Sequence, residues 1–378
     1  MEHNRMSFTE EIEEDLAYKQ ARERRRRERN ERNRKRKLRR MRIRRMTYIG
    51  LGLVILLIAG VLIKGLFAKT KDVIIRKQPN KEVSEVSVEP SSAPEVSENE
   101  AHEEEPCGKQ YSYEEANDLL SINEEVVSEQ VIVVDPETNE IIAGRNMKTR
   151  MNPASMTKIL TLLVAAEHVQ NLDDTFTFSR EITDYGFVND CSSAGFLEDE
   201  TVPIRDLFYG TILPSGADAA VGLAVYVAGS QEAFVDLMNE KLAELGLSET
   251  SHFTNCVGVY DENHYSTVYD MAVILNAAKD NEFCAQVLGS KVYTTAVTEQ
   301  HPEGIVLSNW FMRRIEDKDT ASEVMGAKTG YVVQSGSCAA SYARREDGKE
   351  LICVTGGSTS SWRCIYDHVA IYYDFMSK

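Results

Sequence analysis

The stretch NPASMTKILTLLVAA, residues 152–166, decides the architecture of this sequence. Asn152 and Pro153 are residue types favoured at the cap and at the first position of a helix. The positions that follow are apolar on nearly every side, and a helix that is apolar all round is a buried helix. The sequence therefore predicts a central helix over residues 152–166, covered by the rest of its domain.

Strand-like segments lie on both sides of this helix. Before it, the apolar runs 131–134 and 141–143 flank a turn-rich segment and predict an antiparallel hairpin. Beyond it, strands are predicted at 292–297, 327–333, 337–342 and 351–355, helices at 217–227, 230–245 and 266–278, and a last helix at 361–375. We therefore expect one antiparallel sheet assembled from both ends of the domain, with a helical insertion between them.

The seven cysteines are an odd number and show no metal-binding spacing. A tight hairpin centred on Asp347 and Gly348 places Tyr342 opposite Cys353 and leaves Cys338 beyond disulfide reach. We expect mostly buried free thiols. The histidines also lack the spacing of a metal site, so no metal and no cofactor is predicted.

Charge is strongly segregated along the 378 residues, whose net charge is −17. Residues 19–45 carry 17 basic and 3 acidic side chains, whereas residues 71–378 carry 23 basic and 51 acidic ones. A folded nucleic-acid-binding domain would carry the basic excess itself. Nucleic acid is therefore excluded as an expected partner.

The basic block precedes an uncharged stretch from Met46 to Ile63, 18 residues long, which is enough to cross a bilayer as a helix. Basic residues remain on the cytoplasmic side, so the amino terminus should be inside and the bulk of the chain outside. The predicted organisation is a cytoplasmic arm, a transmembrane anchor, an acidic tether and an extracytoplasmic domain, at residues 1–45, 46–68, 69–107 and 108–378. A cleaved signal peptide is the alternative, but no small-residue cleavage site follows the apolar stretch.

Ser155 and Lys158 form the single Ser-x-x-Lys of the sequence, at the start of the central helix. Their spacing places both side chains on one helix face. A serine hydroxyl needs a neighbouring base to become nucleophilic, and a lysine whose pKa is lowered by burial can serve. The alternative is a purely structural role, in which Ser155 belongs to a helix cap and Lys158 lies on the surface. The apolar residues around Lys158 disfavour it.

Lys328, Thr329 and Gly330 form the single Lys-[Ser/Thr]-Gly triplet, at the start of a predicted strand. A lysine there supplies a second cation and Thr329 supplies a hydroxyl, a pair suited to a substrate carboxylate. On its own, such a triplet is more often an ordinary strand end.

The order of these motifs is more specific than either motif alone. Ser-x-x-Lys, then Leu213-Pro214-Ser215-Gly216, then Lys-Thr-Gly is similar to the signature of serine penicillin-recognising enzymes. Residues 110–378 resemble the D-alanyl-D-alanine carboxypeptidases, the low-molecular-mass penicillin-binding proteins, and the resemblance includes Phe253-Thr254-Asn255, Gly258 and His264-Tyr265-Ser266-Thr267.

This resemblance implies an α/β fold like that of β-lactamases and transpeptidases, with a five-stranded antiparallel sheet flanked by helices and an inserted all-helical subdomain. It implies removal of the terminal D-alanine from peptidoglycan stem peptides through an acyl-enzyme, and inhibition by β-lactams. The roles it implies are Ser155 as nucleophile, Lys158 as base, Ser215 as proton relay, Lys328, Thr329 and Gly330 in substrate binding, and the backbone amides of Ser155 and Tyr331 as the oxyanion hole.

One position departs from the family pattern. The third residue of the second motif is asparagine in the family, where its amide contacts the catalytic lysine and a substrate carbonyl, and here it is Ala217. Losing these contacts would cost about 1 to 3 kcal/mol, tenfold to a hundredfold in rate. The neighbouring Asp218 is one residue away and should point elsewhere.

Two other functions compete with this interpretation. A class A β-lactamase needs a glutamate with an asparagine four residues later to activate its deacylating water, and residues 230–265 contain no such pair. A non-catalytic wall-binding or β-lactam-sensing protein would explain Ala217 as decay. Retention of Ser155, Lys158, Ser215 and Lys328 argues against decay.

Overall fold

The computed structural model describes residues 111–377, which contain one main sheet with helices on both faces. The strands of this sheet follow the order β1-β3-β2-β10-β9-β8. Their bounds are β1 Glu114–Leu120, β2 Gln130–Asp135, β3 Glu140–Arg145, β8 Glu323–Val332, β9 Gly336–Arg344 and β10 Glu350–Ser358. As predicted, strands from both ends of the domain meet in one sheet, where β2 pairs with β10.

The sheet is not the five-stranded antiparallel sheet that was expected. It has six strands and is mixed, because β1 adds to the edge of β3 in parallel, with Glu114 opposite Glu140. Nearly every side chain of β1 is exposed, so no alternation of apolar and polar residues marks it in the sequence. The other five strands are antiparallel to one another.

The hairpin between β9 and β10 also differs from its predicted register by one residue. Tyr342 lies opposite Ile352, and Cys353 lies opposite Ser341. The connection spans residues 345–349, with the amide of Arg345 bonded to the carbonyl of Lys349, rather than a two-residue turn. The expectation of free thiols holds for the six cysteines of the described residues, five of which are buried.

Helices fill the chain between β3 and β8 and cover the sheet. Their bounds are α1 Lys158–His168, α2 Arg180–Val188, α3 Ile204–Ile212, α4 Ala217–Ala228, α5 Gln231–Glu244, α6 Val268–Asp280, α7 Glu282–Gly289, α8 Trp310–Ile315 and, after the sheet, α9 Ser361–Met376. The insertion is not all-helical, because two short two-stranded sheets interrupt it: β4 Thr175–Thr177 with β5 Thr201–Pro203, and β6 Val292–Thr294 with β7 Val306–Ser308. Strand β6 lies within the strand predicted at 292–297, whereas the three residues of each of the other strands are too few to produce a periodic signal.

The core lies on both faces of the central strands. On β2, Ile132 and Val134 belong to the large cluster that contains α1, while Val131 and Val133 pack in the smaller cluster with Ile371 of α9. This two-sided burial explains why β2 is a continuous apolar run. Helix α1 is buried from Lys158 to Ala165, as the sequence predicted.

The predicted arm, membrane anchor and acidic tether lie outside the described residues. Among residues 111–377, no helix is both long enough and apolar enough to cross a membrane.

Candidate active site

The nucleophile segment is a short 3-10 turn, Ala154–Thr157, that continues into α1. Pro153 occupies its cap position, and Asn152 lies one residue earlier, where its Oδ1 accepts a hydrogen bond from the amide of Ala154 at 2.9 Å. The α-helix proper thus begins at Lys158, later than predicted. Ala154 adopts a φ of 48°, a left-handed conformation that costs strain in a residue other than glycine. Within residues 151–160, Ser155 is the residue that is not buried, so the turn presents this hydroxyl to solvent.

Lys158 lies directly behind the Ser155 hydroxyl. Its Nζ is 3.1 Å from Ser155 Oγ and donates a second hydrogen bond to the carbonyl of Val257 at 2.7 Å. The side chain is fully buried, and this burial lowers the pKa of the Lys158 ammonium from 10.5 to about 8. A useful fraction of the amine is therefore neutral near neutral pH, as a base requires.

A second buried lysine faces the first from the sheet. Lys328 Nζ donates to Ser215 Oγ at 2.9 Å and to the carbonyl of Thr329 at 2.7 Å. Burial, followed by the charge of Lys158, holds the pKa of Lys328 well below its usual value. Ser215 is held at a φ of 61° before α4, another left-handed residue at the site. The structure thus brings together both serines and both lysines predicted from the motifs.

The remaining predicted residues lie on β8 beside the nucleophile turn. A Cβ added to Gly330 would lie 2.9 Å from the Ser155 amide nitrogen and 2.9 Å from the Pro153 carbonyl, so glycine is needed for this close approach. Thr329 is half-buried, and Tyr331 is 44% exposed at the outer edge. Strand β8 is the last strand of the sheet, so these residues lie on its edge strand.

The site combines two serines with two buried lysines whose pKa values are lowered. These are the groups that serine acyl transfer requires. The sequence model for the D-alanyl-D-alanine carboxypeptidase family matches residues 116–360.

This chain belongs to that family.

Curated relatives agree with the assignment. The D-alanyl-D-alanine carboxypeptidase DacF of Bacillus subtilis is 29% identical over 241 residues, which cover 62% of this chain and 59% of that protein. DacD of Escherichia coli is 32% identical, with 61% and 58% covered. The chain thus spans less than two thirds of the length of these relatives.

Solved structures agree in fold. The Streptomyces K15 DD-transpeptidase superposes with a TM-score of 0.60 at 27% identity, covering 66% of this chain and 97% of that one. Penicillin-binding protein 5 of Haemophilus influenzae gives a TM-score of 0.58 at 26% identity, covering 64% and 68%. Both are consistent with the mixed α/β architecture described above.

Ala217, the residue that departs from the carboxypeptidase pattern, lies in the protein interior. Ala217 opens α4, is fully buried and donates its amide to the carbonyl of Ser192. Asp218 points away from the lysines, as predicted: its carboxylate accepts from the amides of Ala194 and Gly195 and from Ser193 Oγ, at 2.8, 3.0 and 2.6 Å. It organises the loop before β5.

The loop that holds Lys158 from the other side could not be predicted from the sequence, where Asn255 and Gly258 entered only through the resemblance. The group that bonds to Lys158 is the backbone carbonyl of Val257, so no pattern of side chains in the sequence reveals it. His264 joins this loop to the nucleophile turn: Nδ1 accepts from the amide of Thr254 at 3.1 Å, and Nε2 lies 2.8 Å from Thr157 Oγ1. Burial lowers the pKa of His264 to about 3, so the ring is neutral and structural. Within the described residues, no group of histidine, cysteine and acidic side chains could hold a metal.

Proposed function

We propose that this chain is a serine-type D-alanyl-D-alanine carboxypeptidase, which removes the terminal D-alanine from peptidoglycan pentapeptides through an acyl-enzyme on Ser155. The observation that carries the proposal is the contact of 3.1 Å between Ser155 Oγ and Lys158 Nζ, made by a fully buried lysine of lowered pKa. Family membership supplies the substrate class.

In the acylation step, Ser155 Oγ attacks the carbonyl of the penultimate D-alanine while its proton passes to neutral Lys158. The carbonyl oxygen becomes an oxyanion, which the backbone amides of Ser155 and Tyr331 stabilise. The proximity of Gly330 to the Ser155 amide supports this arrangement, because it brings the end of β8 against the nucleophile turn.

Collapse of the tetrahedral intermediate breaks the peptide bond and releases D-alanine, whose nitrogen needs a proton. Ser215 relays this proton from Lys158 to the departing amine, which leaves Lys158 neutral again, and Ser215 lies within 2.9 Å of Lys328. Lys328 and Thr329 hold the terminal carboxylate of the substrate, with Gly330 beside them. Water then attacks the ester on Ser155 while Lys158 takes a proton from it, and Lys158 returns that proton to Ser155 Oγ as the shortened peptide leaves.

β-Lactams resemble the acyl-D-alanyl-D-alanine end and, in this proposal, acylate Ser155 without rapid release. We further propose that residues 46–68 anchor the chain in the cell membrane, with residues 108–378 outside and the acidic tether between them. The charge pattern supports this topology. Fractionation of cells that produce the chain with and without residues 1–68 tests it, since the shorter form should leave the membrane fraction.

The activity is tested by measuring D-alanine release from a pentapeptide ending in D-Ala-D-Ala. The full-length chain should release D-alanine, and Ser155→Ala should abolish release. Ser290→Ala is the matched control, because the Ser290 hydroxyl bonds to the Gln286 carbonyl of α7 and to Tyr209, not to any residue of the nucleophile turn. If the unmodified chain is labelled by penicillin at Ser155 yet releases no D-alanine, the carboxypeptidase proposal is wrong and a β-lactam-sensing role replaces it.

A further inference from the structure

One asparagine organises the loop that bonds to Lys158. Asn255 Oδ1 accepts hydrogen bonds from three successive backbone amides, those of Val257 at 3.1 Å, Gly258 at 2.7 Å and Val259 at 3.0 Å. Its Nδ2 donates to the Val259 carbonyl at 3.0 Å. Since Asn255 is only 8% exposed, these bonds are shielded from water, and the loop is closed around a single side-chain amide.

The loop closed by Asn255 lies directly against the nucleophile turn. A Cβ on Gly258 would lie 1.8 Å from the Ala154 carbonyl oxygen and 2.9 Å from the Ser155 amide nitrogen, and Gly258 has a φ of +85°. No other residue type fits this contact. The loop and the turn therefore have one fixed relative position, and the Val257 carbonyl is aimed at Lys158 Nζ.

A fixed acceptor has a chemical consequence for the amine. A neutral lysine amine carries two N–H groups and one lone pair. When one N–H is committed to the Val257 carbonyl at 2.7 Å, rotation about the Cε–Nζ bond is restricted and the lone pair can face Ser155 Oγ at 3.1 Å. An amine without this acceptor would direct its lone pair at Ser155 for only part of the time.

We infer that Asn255 is a positioning residue for Lys158, acting through the Val257 carbonyl, and that this loop performs the lysine-orienting role which an amide side chain at position 217 would otherwise share. Ala217 has no polar side-chain atom to contribute. The inference rests on the proposed function, in which Lys158 is the base. The other ionisable groups that influence Lys158 are Lys328, Asp218, Cys191 and Cys256.

The test compares two asparagines of the full-length chain. Asn255→Ala removes the loop clamp. Asn239→Ala removes a similar set of bonds, since Asn239 accepts from the Phe253 amide at 3.0 Å and donates to the Phe253 and Val235 carbonyls at 2.8 and 3.0 Å, without touching residues 257–259. The readout is the rate of acylation by a fluorescent penicillin as a function of pH.

We expect Asn255→Ala to slow acylation by about 30- to 100-fold, and Asn239→Ala by less than about threefold, at similar losses of melting temperature. The acidic limb of the pH profile should also move upward by about one unit in Asn255→Ala, because a loosened loop admits water and relieves the burial that depresses the pKa of Lys158. Asn239→Ala should keep the limb of the unmodified chain.

Two further variants separate positioning from stability. Asn255→Asp keeps an acceptor for the three amides and should retain the maximal rate within about fivefold. The double variant Ala217→Asn, Asn255→Ala should acylate at least tenfold faster than Asn255→Ala alone, because the asparagine at position 217 places a side-chain amide beside Lys158. The inference is overturned if Asn255→Ala behaves like Asn239→Ala, or if the restored amide gives no recovery in a folded protein. Failure of the unmodified chain to acylate would instead overturn the proposed function.

Discussion

The two buried lysines of the site are held in different ways. Lys158 begins a helix. It bonds to the Ser155 hydroxyl, which is close in sequence, and to the Val257 carbonyl, which is distant in sequence. Lys328 lies on a strand and bonds to the adjacent Thr329 carbonyl and to the Ser215 hydroxyl. Burial lowers the pKa of both lysines, and the charge of Lys158 lowers the pKa of Lys328 further. In the proposed mechanism, the same residue type thus serves as a base on one side and as part of a carboxylate site on the other.

Removing the base should have the largest effect on this comparison. We expect Lys158→Ala to lower the rate of acylation by penicillin by about 1,000-fold, because within residues 111–377 Lys158 is the basic group that bonds to Ser155 Oγ. Lys241→Ala is a suitable control, since Lys241 pairs with Glu167 at 2.9 Å outside the site. Equal rates for Lys158→Ala and the control would mean that another group is the base.

The pH dependence of acylation should report the same lysine. With a pKa of about 8, only about 1% of Lys158 is neutral at pH 6, so the rate there should be about a hundredfold below its plateau above pH 9. The rate rises with pH because the neutral form is the active one. A profile that is flat between pH 6 and 9 would show that Lys158 does not donate or accept the proton in this step.

Removing the second lysine should have a smaller effect that depends on the ligand. Lys328→Ala should lower kcat/KM for a peptide with a free terminal carboxylate by about 30-fold, since a charge-assisted hydrogen bond is lost. A peptide ending in an amide should lose less. Lys291→Ala serves as the control, because Lys291 pairs with Glu316 on the surface. Equal losses for the acid and the amide would exclude a carboxylate-binding role.

The smallest effect is on stability and concerns buried His264, which bonds to Thr157, the residue before Lys158. Its pKa is about 3 when folded and 6.5 as a free side chain, so the unfolded chain binds the proton first. The contribution of His264 to stability is complete above pH 6.5 and falls by about 1.4 kcal/mol per pH unit below it, about 2 kcal/mol at pH 5, and buried His368, whose pKa is also about 3, adds a loss of the same sign. Denaturant titrations at pH 7 and pH 5 should show this loss reduced in His264→Gln and unchanged in His252→Gln, whose histidine is exposed.

The sequence was most informative where chemistry and local geometry coincide. Ser155 and Lys158 could be paired because three residues of helical or 3-10 backbone bring their side chains together. The contact between Lys328 and Ser215 could be expected only through motif order and resemblance, since 113 positions separate them. The buried helix and both ends of the sheet followed from apolar periodicity.

What could not be predicted is backbone or edge structure. Strand β1 is exposed, so it carries no apolar signal, and the β9–β10 register depended on a turn length that Asp347 and Gly348 do not fix alone. The Val257 carbonyl is invisible to any analysis of side chains. Asn255 and Gly258 were noted only as part of a resemblance, and their contact with the nucleophile turn required the folded chain.

The pairing of β2 with β10 has a consequence for the time at which the site forms. Ser155 follows the first hairpin of the sheet, and Lys328 lies on β8, which reaches that hairpin only through β9 and β10. A chain that has emerged only as far as Lys349 contains every motif residue but lacks the strand that closes the sheet. Reactivity toward penicillin should therefore arise only after residues 350–358 have emerged and paired with β2 and β9, even though every motif residue has been synthesised before that point.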